Sequence, residues 1–407
     1  MTDVVIVGGG QAGCQVAASL REEGFAGNIV MIGAEEHLPY QRPPLSKAHL
    51  AGSVTRERLF LRAQSWFAEA GVELHRGRSV ESIDRAARKI RLSDGEVMGY
   101  DVLVLATGGR HREIVLPGRD LAGVLSLRTL AEAEAMRERL EAAGHVVVVG
   151  GGFIGLEVAA TAAAMGRTTT VLELAPRLMG RVLSAATAEF LLQSHRTRGV
   201  RVELSASVTE LLGTGGQVTA VATTSGEQLP ADLVVLGVGA LAEDALAGAA
   251  GLATDNGILV DEFLRTSDAA VYAVGDCARA PSRWAGGSAV RLESVQNAVE
   301  QARCAARDIV GRSEPYCAVP WFWSDQGDVK LQIAGLTQGH DTTVTVGAVD
   351  QGAFSVWCFA GGRLVGVESV NQVKEHLTAR KILAAGVAVG PETVGEAGFS
   401  AKSLLVF

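Results

Sequence analysis

The strongest constraint on how this chain can fold is a short glycine loop that occurs twice. Residues Val4 to Gly13 read Val-Val-Ile-Val-Gly-Gly-Gly-Gln-Ala-Gly, and Val146 to Glu157 read Val-Val-Val-Val-Gly-Gly-Gly-Phe-Ile-Gly-Leu-Glu. Each copy is an apolar run long enough for one buried strand, followed by Gly-x-Gly-x-x-Gly and then a helical pattern. Glycines at these places allow a sharp turn and a close approach of backbone to a pyrophosphate, and the helix start supplies free N–H groups. One such loop is weak evidence. Two, each followed about 20 residues later by an acid (Glu35 and Glu173), point to two dinucleotides on one chain.

A length of 407 residues predicts two or three domains. An apolar content of 48% with 49 Gly and only 10 Pro fits a tightly wound α/β protein. The formal charge of -8 speaks against a nucleic-acid binder. The five cysteines (Cys14, Cys277, Cys304, Cys317, Cys358) are scattered and never spaced Cys-x-x-Cys, so neither a disulfide scaffold, a metal ribbon nor a redox dithiol is expected. The first strand begins almost at once at Asp3, with no charged n-region and apolar h-region before it, so no leader is expected, and no apolar run reaches the ~18 residues that cross a bilayer. The expectation is a cytoplasmic protein without membrane or metal.

Taken in order, the pattern predicts a helix over Ala12–Glu23, a strand over Asn28–Ile32, and a carboxylate at that strand's tip that can accept from both ribose hydroxyls. Glu35 or its neighbour Glu36 can serve. Leu38 to Lys47 (Leu-Pro-Tyr-Gln-Arg-Pro-Pro-Leu-Ser-Lys) is dense in proline, which fixes φ and resists helix, so a rigid loop carrying Arg42 and Lys47 is expected. Asp101–Gly108 and Asp232–Gly239 are matching buried strands that end on small residues, so the repeat extends beyond the glycine loops. In the second copy Leu130–Ala143 reads as a helix and Thr168–Glu173 as a strand. Glu173 there favours free ribose hydroxyls and repels a 2′-phosphate, although Arg177 and Arg181 lie nearby. Ala270–Asp276 reads as a strand ending in Gly-Asp, and Ser294–Ile309 as a helix with Arg303 and Arg307 on one face. Asp328–Ala334, Thr342–Gly347, Phe354–Cys358 and Leu364–Val370 alternate like antiparallel strands, before a helix over Gln372–Ala384. Val319 to Gln326, with Trp321 and Trp323, reads either as an apolar domain junction or as an aromatic edge beside a redox ring.

The ordered set Val-Gly-Gly-Gly-x-Ala-Gly, Arg-Pro-Pro-Leu-Ser-Lys, Leu-Ala-Thr-Gly-Gly, Leu-Arg-Thr-Leu, Val-Gly-Gly-Gly-x-Ile-Gly-Leu-Glu-Val-Ala, Ala-Val-Gly-Asp-Cys-Ala, Arg-Leu-Glu-Ser-Val-Gln-Asn-Ala and Pro-Trp-Phe-Trp-Ser-Asp-Gln resembles the FAD-containing, NADH-dependent ferredoxin reductases. The likeness covers nearly the whole chain. It implies a glutathione-reductase-like α/β fold with two Rossmann-like dinucleotide-binding domains and a C-terminal α+β domain. Residues 1–111 and 243–319 would form the FAD-binding domain, 112–242 the NAD-binding domain and 320–407 a C-terminal interface domain. FAD would lie against Gly8, Gly10, Ala12, Gly13, Glu35, Arg42, Pro44, Lys47, Val80, Thr107, Arg128, Asp276, Val295 and Trp323. Relatives often carry an acid where this chain has Ala34, which leaves Glu35 as the ribose ligand. NAD would be held by Gly150, Gly152, Ile154, Gly155, Glu173, Arg181 and Gly239.

Because Lys47 ends the proline loop and Glu157 stands on the first turn of the NAD helix, the two are expected to meet as a catalytic ion pair beside the flavin N5. A flavin converts the hydride of NADH into the single electrons that a [2Fe-2S] ferredoxin accepts. That ferredoxin would serve a cytochrome P450 or a Rieske oxygenase and dock through Arg303, Arg307 and Trp323. A disulfide or peroxide reductase would need a redox Cys where Leu45-Ser46-Lys47 stands. A flavoprotein of the apoptosis-inducing-factor kind, acting by interaction, would keep both nucleotide sites.

Overall fold

The computed structural model describes residues 2–405. The chain forms two compact units. One comprises residues up to Gln41 with Arg56–Arg110 and Ala240–Pro320, and the other comprises Arg42–Thr55, His111–Gly239 and the chain from Trp321 onward.

The first unit is built on five parallel strands in the order Val271–Ala273, Val102–Leu105, Asp3–Val7, Asn28–Gly33, Val72–Arg76. Such a sheet is covered on both faces, and its inner strands are correspondingly apolar, whereas the edge strand Val72–Arg76 carries Glu73, His75 and Arg76. Val4, Ile6, Val104 and Met31 pack with Val16 and Leu20 of the helix Gln11–Glu22 and with Ala302, Ala305 and Ala306 of the helix Val295–Ile309. On the opposite face Val5, Leu103 and Leu105 pack with Ile83, Ile90 and Leu92.

In the second unit the same plan recurs. Its parallel order is Arg201–Leu204, Thr168–Glu173, His145–Val149, Leu233–Leu236, Val124–Leu125. Each parallel sheet is interrupted at the same point by a small three-stranded antiparallel sheet: Val80–Asp84, Lys89–Leu92 and Val97–Gly99 in the first, Val208–Thr214, Gln217–Thr223 and Gln228–Pro230 in the second. These six strands were not read from the sequence, yet they extend the internal repeat to the crossovers. Both repeats are Rossmann-like α/β domains.

The C-terminal part of the second unit is α+β. Five antiparallel strands run in the order Trp321–Gln326, Val329–Gly335, Arg363–Val370, Ala353–Ala360, Thr342–Ala348, beside the helix Val373–Ala385. Of the two sequence readings of Trp321–Gln326, neither was a strand. It is the edge strand of this sheet, and its aromatic run hides a two-residue alternation. The Pro43-Pro44 pair also departs from expectation: Pro43–Ser46 is one turn of 3₁₀ helix. Proline is tolerated there because the first N–H groups of a helical turn have no internal partner. The strand expected over Asp101–Gly108 is the shorter Val102–Leu105, and the Gly-Asp pair at 275–276 forms a 3₁₀ turn after its strand.

A buried carboxylate ties the C-terminal sheet to the helix Ala185–Thr197. Glu368 is fully buried and accepts from the Ser184 N–H (2.8 Å) and the Ser184 hydroxyl (2.6 Å), which itself caps that helix. Glu368→Ala leaves the buried Ser184 N–H without an acceptor and its hydroxyl with only Thr187 Oγ1 at 3.1 Å, and is expected to lower the urea unfolding free energy of this unit by about 2 kcal/mol. Glu368→Gln, which keeps an acceptor for the amide, should retain most of the stability. A loss under about 0.5 kcal/mol in the alanine variant, the level of an ordinary surface substitution, would contradict this account.

Candidate functional site

The two glycine loops have the same geometry. Gly8 and Gly150 adopt φ of 127° and 107°, and each donates its N–H across the sheet, to Ile32 O and to Leu172 O, both at 2.8 Å. A Cβ on Gly8 would collide with the Ala106 carbonyl, and one on Gly150 with the Gly237 carbonyl. The third glycines, Gly13 and Gly155, let helix and loop touch: a Cβ on either would strike the carbonyl oxygen of Gly8 or Gly150. The second glycines differ in kind. Around an ideal Cβ on Gly10 there is no atom within 4 Å, and on Gly152 only the Gly237 oxygen at 4.0 Å.

The first and third glycines are thus required by the protein itself, whereas the second opens on space a ligand can fill. Gly10 and Gly152 are also the N-caps of their helices, with no side-chain cap and no acid in the first turn. Each loop therefore presents uncapped N–H groups and the positive end of a helix dipole to a cradle of pyrophosphate size.

The acids at the strand tips are held differently. Glu35 accepts from the Tyr40 hydroxyl at 2.6 Å. Tyr40 was not singled out from sequence, although it lies in the quoted proline stretch. Glu36 instead lies over Gly77 and is placed by the neighbouring strand. Glu173 turns inward and accepts from Gly151 N–H (2.6 Å) and Ala175 N–H (2.7 Å). A carboxylate offers about four acceptor positions. These two bonds orient Glu173 at the glycine loop and leave lone pairs for ribose hydroxyls.

Other expected residues gather round the first loop. Gly275, at φ 81°, brings its turn against Ala12, so Asp276 lies near the start of the first helix, and Gly275 N–H is fixed by Gln301 at 2.7 Å. Thr107 donates to the Glu243 carbonyl at 2.6 Å. Val295 opens its helix behind the Ser294 cap, and Val80 opens the first antiparallel strand. Near the second loop, Ile154 is 42% exposed, unusual for isoleucine, and Gly239 at φ 102° has open space at its Cβ position. Arg181 is exposed and lines a cavity with Arg177, Thr337 and His340.

Within the second unit the proline turn reaches the Glu157 helix (Phe153–Ala164). Glu157 is its fifth residue, so it lies one turn in rather than on the first turn as the sequence suggested. Only 5% of it is exposed. Its Oε2 accepts from Lys47 Nζ at 2.6 Å and from the Ser46 hydroxyl at 2.5 Å, and its Oε1 accepts from the Ser324 hydroxyl at 2.6 Å. Thr161, one turn further, bonds the Ser46 carbonyl at 2.9 Å and fastens the turn to the helix. Arg42 donates to the Arg128 carbonyl at 2.5 Å, and the Arg128 N–H donates to Glu132 of the Thr129 capping box.

The expected Lys47–Glu157 pair is therefore formed. Its two serines were missed from sequence, because nothing in a lone hydroxyl residue announces a partner more than a hundred positions away. Trp323 lies 5.4 Å from Trp321, which in turn packs on His376 and under Arg380. Arg303 and Arg307 are not bare cations: Arg303 pairs with Glu300, and Arg307 with Glu23 and Glu314.

Residues 2–302 match the pyridine nucleotide-disulphide oxidoreductase family, and residues 321–405 match the reductase C-terminal domain. Rhodocoxin reductase of Rhodococcus erythropolis is 47% identical over 98% of this chain and 93% of its own length. The crystal structure of the ferredoxin reductase for the CYP199A2 system of Rhodopseudomonas palustris superposes with a TM-score of 0.97 at 46% identity, covering 100% of both chains. The covalent putidaredoxin reductase–putidaredoxin complex gives 0.96 at 40% identity over 99% of this chain and 98% of the other. With two uncapped glycine loops, an acid at each strand tip and matches of this extent, the chain belongs to the pyridine nucleotide-disulphide oxidoreductase family, within its group of ferredoxin reductases.

Proposed function

We propose that the protein takes electrons from NADH through FAD and passes them singly to a [2Fe-2S] ferredoxin that serves a cytochrome P450 or a Rieske-type oxygenase, in the cytoplasm. Among the described residues no helix is long and apolar enough to cross a membrane. The observation that carries the reading is the Lys47–Glu157 ion pair on a turn without a thiol. A disulfide-reducing member of the family would need a reactive cysteine at that turn, and the buried cysteines of this chain are poorly suited to supply one. Burial pushes the Cys14 thiol up to about 11 against the pull of Arg62, and the Cys304 thiol up to about 12. Burial raises Cys277 and Cys358 as well, so none of the four offers a thiolate at neutral pH. The named relatives agree with this, being reductases for rhodocoxin and putidaredoxin.

In this reading the FAD domain is assembled from residues 1–111 and 243–319, the NADH domain is 112–242, and 320–407 is the interface domain. The loop Gly8–Gly13 receives the FAD pyrophosphate, Glu35 its ribose, and Asp276 the adjoining ribityl chain. Val80, Thr107 and Val295 complete this cradle, while Arg42, Pro44, Lys47, Arg128 and Trp323 take the flavin-side roles that the resemblance gives them. The loop Gly150–Gly155, with Ile154, Arg181 and Gly239, receives NADH, and Glu173 accepts from its free ribose hydroxyls. When bound, FAD supplies the conversion of a hydride into single electrons. Lys47 supplies a fixed positive charge and Glu157 keeps it in place.

NADH is expected to drive reduction of [2Fe-2S] ferredoxins with kcat/KM at least about tenfold above NADPH, because Glu173 meets a 2′-phosphate with like charge. Equal values for the two would remove the role of Glu173, and a FAD-loaded protein that reduced no ferredoxin would contradict the functional reading itself. We further propose that the ferredoxin docks at Arg303 and Arg307 with Trp323. Charge reversal at both arginines should raise the KM for ferredoxin at low ionic strength, with the difference fading near about 0.5 M salt. Docking that ignores both salt and charge reversal would exclude this face.

A further inference from the structure

The Glu157 carboxylate is the near end of a longer buried chain. Behind Ser324, the Gln326 side-chain amide lies 3.3 Å from the Ser324 hydroxyl through Nε2, and its Oε1 lies 2.9 Å from His195 Nε2. Ser324 and His195 are fully buried, and Gln326 is 1% exposed. His195 belongs to the helix Ala185–Thr197, and Ser324 and Gln326 to the strand Trp321–Gln326.

Only one direction of donation satisfies this chain. The Glu157 carboxylate can only accept, so Ser324 spends its single proton on Oε1. The Ser324 oxygen is then left to accept, which requires the NH₂ of Gln326 to face it. The Gln326 carbonyl consequently faces His195, and His195 must donate from Nε2. That tautomer leaves Nδ1 as a bare acceptor, and His195 Nδ1 is among the buried atoms without a hydrogen-bond partner. Flipping the Gln326 amide would force Ser324 to choose between two acceptors and strip a donor from Glu157. Burial holds the His195 imidazolium form down, the Gln326 bond works the other way, and the Arg198 charge adds to the effect of burial.

Packing holds the chain in register at both ends. Phe322, Ser324 and Gln326 share one face of their strand, since side chains alternate. The Phe322 ring lies 4.4 Å from Phe153, the first residue of the Glu157 helix, which sets Ser324 opposite Glu157. Glu368 grips the start of the His195 helix through Ser184, so the C-terminal sheet holds that helix at its first and last turns. Three buried polar side chains in a row are costly unless each is satisfied in one arrangement, and here each is, apart from the His195 nitrogen that the direction of donation requires to be unprotonated.

We propose that Ser324, Gln326 and His195 are positioning residues for the redox reaction. Their one-way hydrogen-bond chain fixes the rotation of the Glu157 carboxylate, so that Oε2 stays on Lys47 while Oε1 is held from behind. This rests on the functional reading above, in which the Lys47 charge acts on the bound flavin.

The test uses the FAD-loaded full-length protein. ¹⁵N-histidine NMR should show His195 as the neutral Nε2–H tautomer, losing that signature in Gln326→Leu. In stopped flow, Ser324→Ala and Gln326→Leu should each slow flavin reduction at saturating NADH by about tenfold, with the apparent Kd for NADH within about twofold of the parent, since a misplaced catalytic group affects chemistry more than binding. The midpoint potential of the bound FAD should move in the same variants, and Ser324→Thr, which restores the hydroxyl, should recover both properties. An Nδ1–H tautomer at His195 overturns the chain's direction whatever the electron acceptor is. Variants with unchanged flavin reduction and potential, beside a parent protein that reduces ferredoxin, overturn the positioning role alone. A parent protein that cannot pass electrons from NADH to any ferredoxin overturns the functional reading and this role with it.

Discussion

A carboxylate inside an apolar helix has to find partners, and Glu157 is such a carboxylate. Leu156, Val158, Ala159 and Ala160 around it are buried, and Glu157 itself is 5% exposed. An ion of this size carries a penalty of several kcal/mol on leaving water unless charge and hydrogen bonds replace the lost hydration. Here the replacement is Lys47 with two serine hydroxyls. The partners come from two stretches far from the helix in sequence, Ser46-Lys47 and Ser324, so one buried charge dictates the position of the proline turn, the Glu157 helix and the edge strand from Trp321 together. The proline pair suits this task because its φ angles are set before folding, which lowers the entropy of holding Lys47 at a single place.

The parts legible in the sequence are those with short-range steric causes. The glycine loops could be placed because Gly8, Gly13, Gly150 and Gly155 each face a backbone carbonyl that forbids a side chain. The strands beside them were legible as continuous Val and Leu runs, and Thr168–Glu173 came out with both ends right. What could not be read is long-range. Tyr40 on Glu35, Ser46 and Ser324 on Glu157, and His195 beyond them are ordinary polar residues until the fold brings them together. The strand Trp321–Gln326 was hidden because Trp321, Phe322 and Trp323 are all large and apolar. Its alternation shows only at Ser324 and Gln326, which share a face with Phe322. The pairing of Lys47 with Glu157 was expected from their places at the end of the proline loop and the start of the second glycine-loop helix and not from spacing, since the two lie far apart in sequence and on different elements.

The repeat also shows how one plan can serve two tasks. Sheet order, loop torsions and the cross-sheet bond from the first glycine agree between the copies. The copies part at the acid. Glu35 is steadied by a tyrosine from the proline stretch, outside the nucleotide motif, whereas Glu173 is steadied by the N–H of its own glycine loop. A cofactor that stays and a substrate that leaves ask for different rigidity, and this is where the sequences of the copies differ in kind. The second copy also carries Glu157, for which the first has Gln15, half-buried and bonded to the Ser19 hydroxyl of its own helix.

The central claim is that Lys47 and Glu157 act as one unit. The most direct measurement is a double-mutant cycle on the FAD-loaded protein, with Lys47→Met, Glu157→Gln and the double variant compared in the rate of flavin reduction by saturating NADH. A unit predicts strong non-additivity: each single change should cost nearly as much as both together, as for residues that work through one another. Losses that simply multiply would contradict the claim and make the ion pair a feature of stability alone.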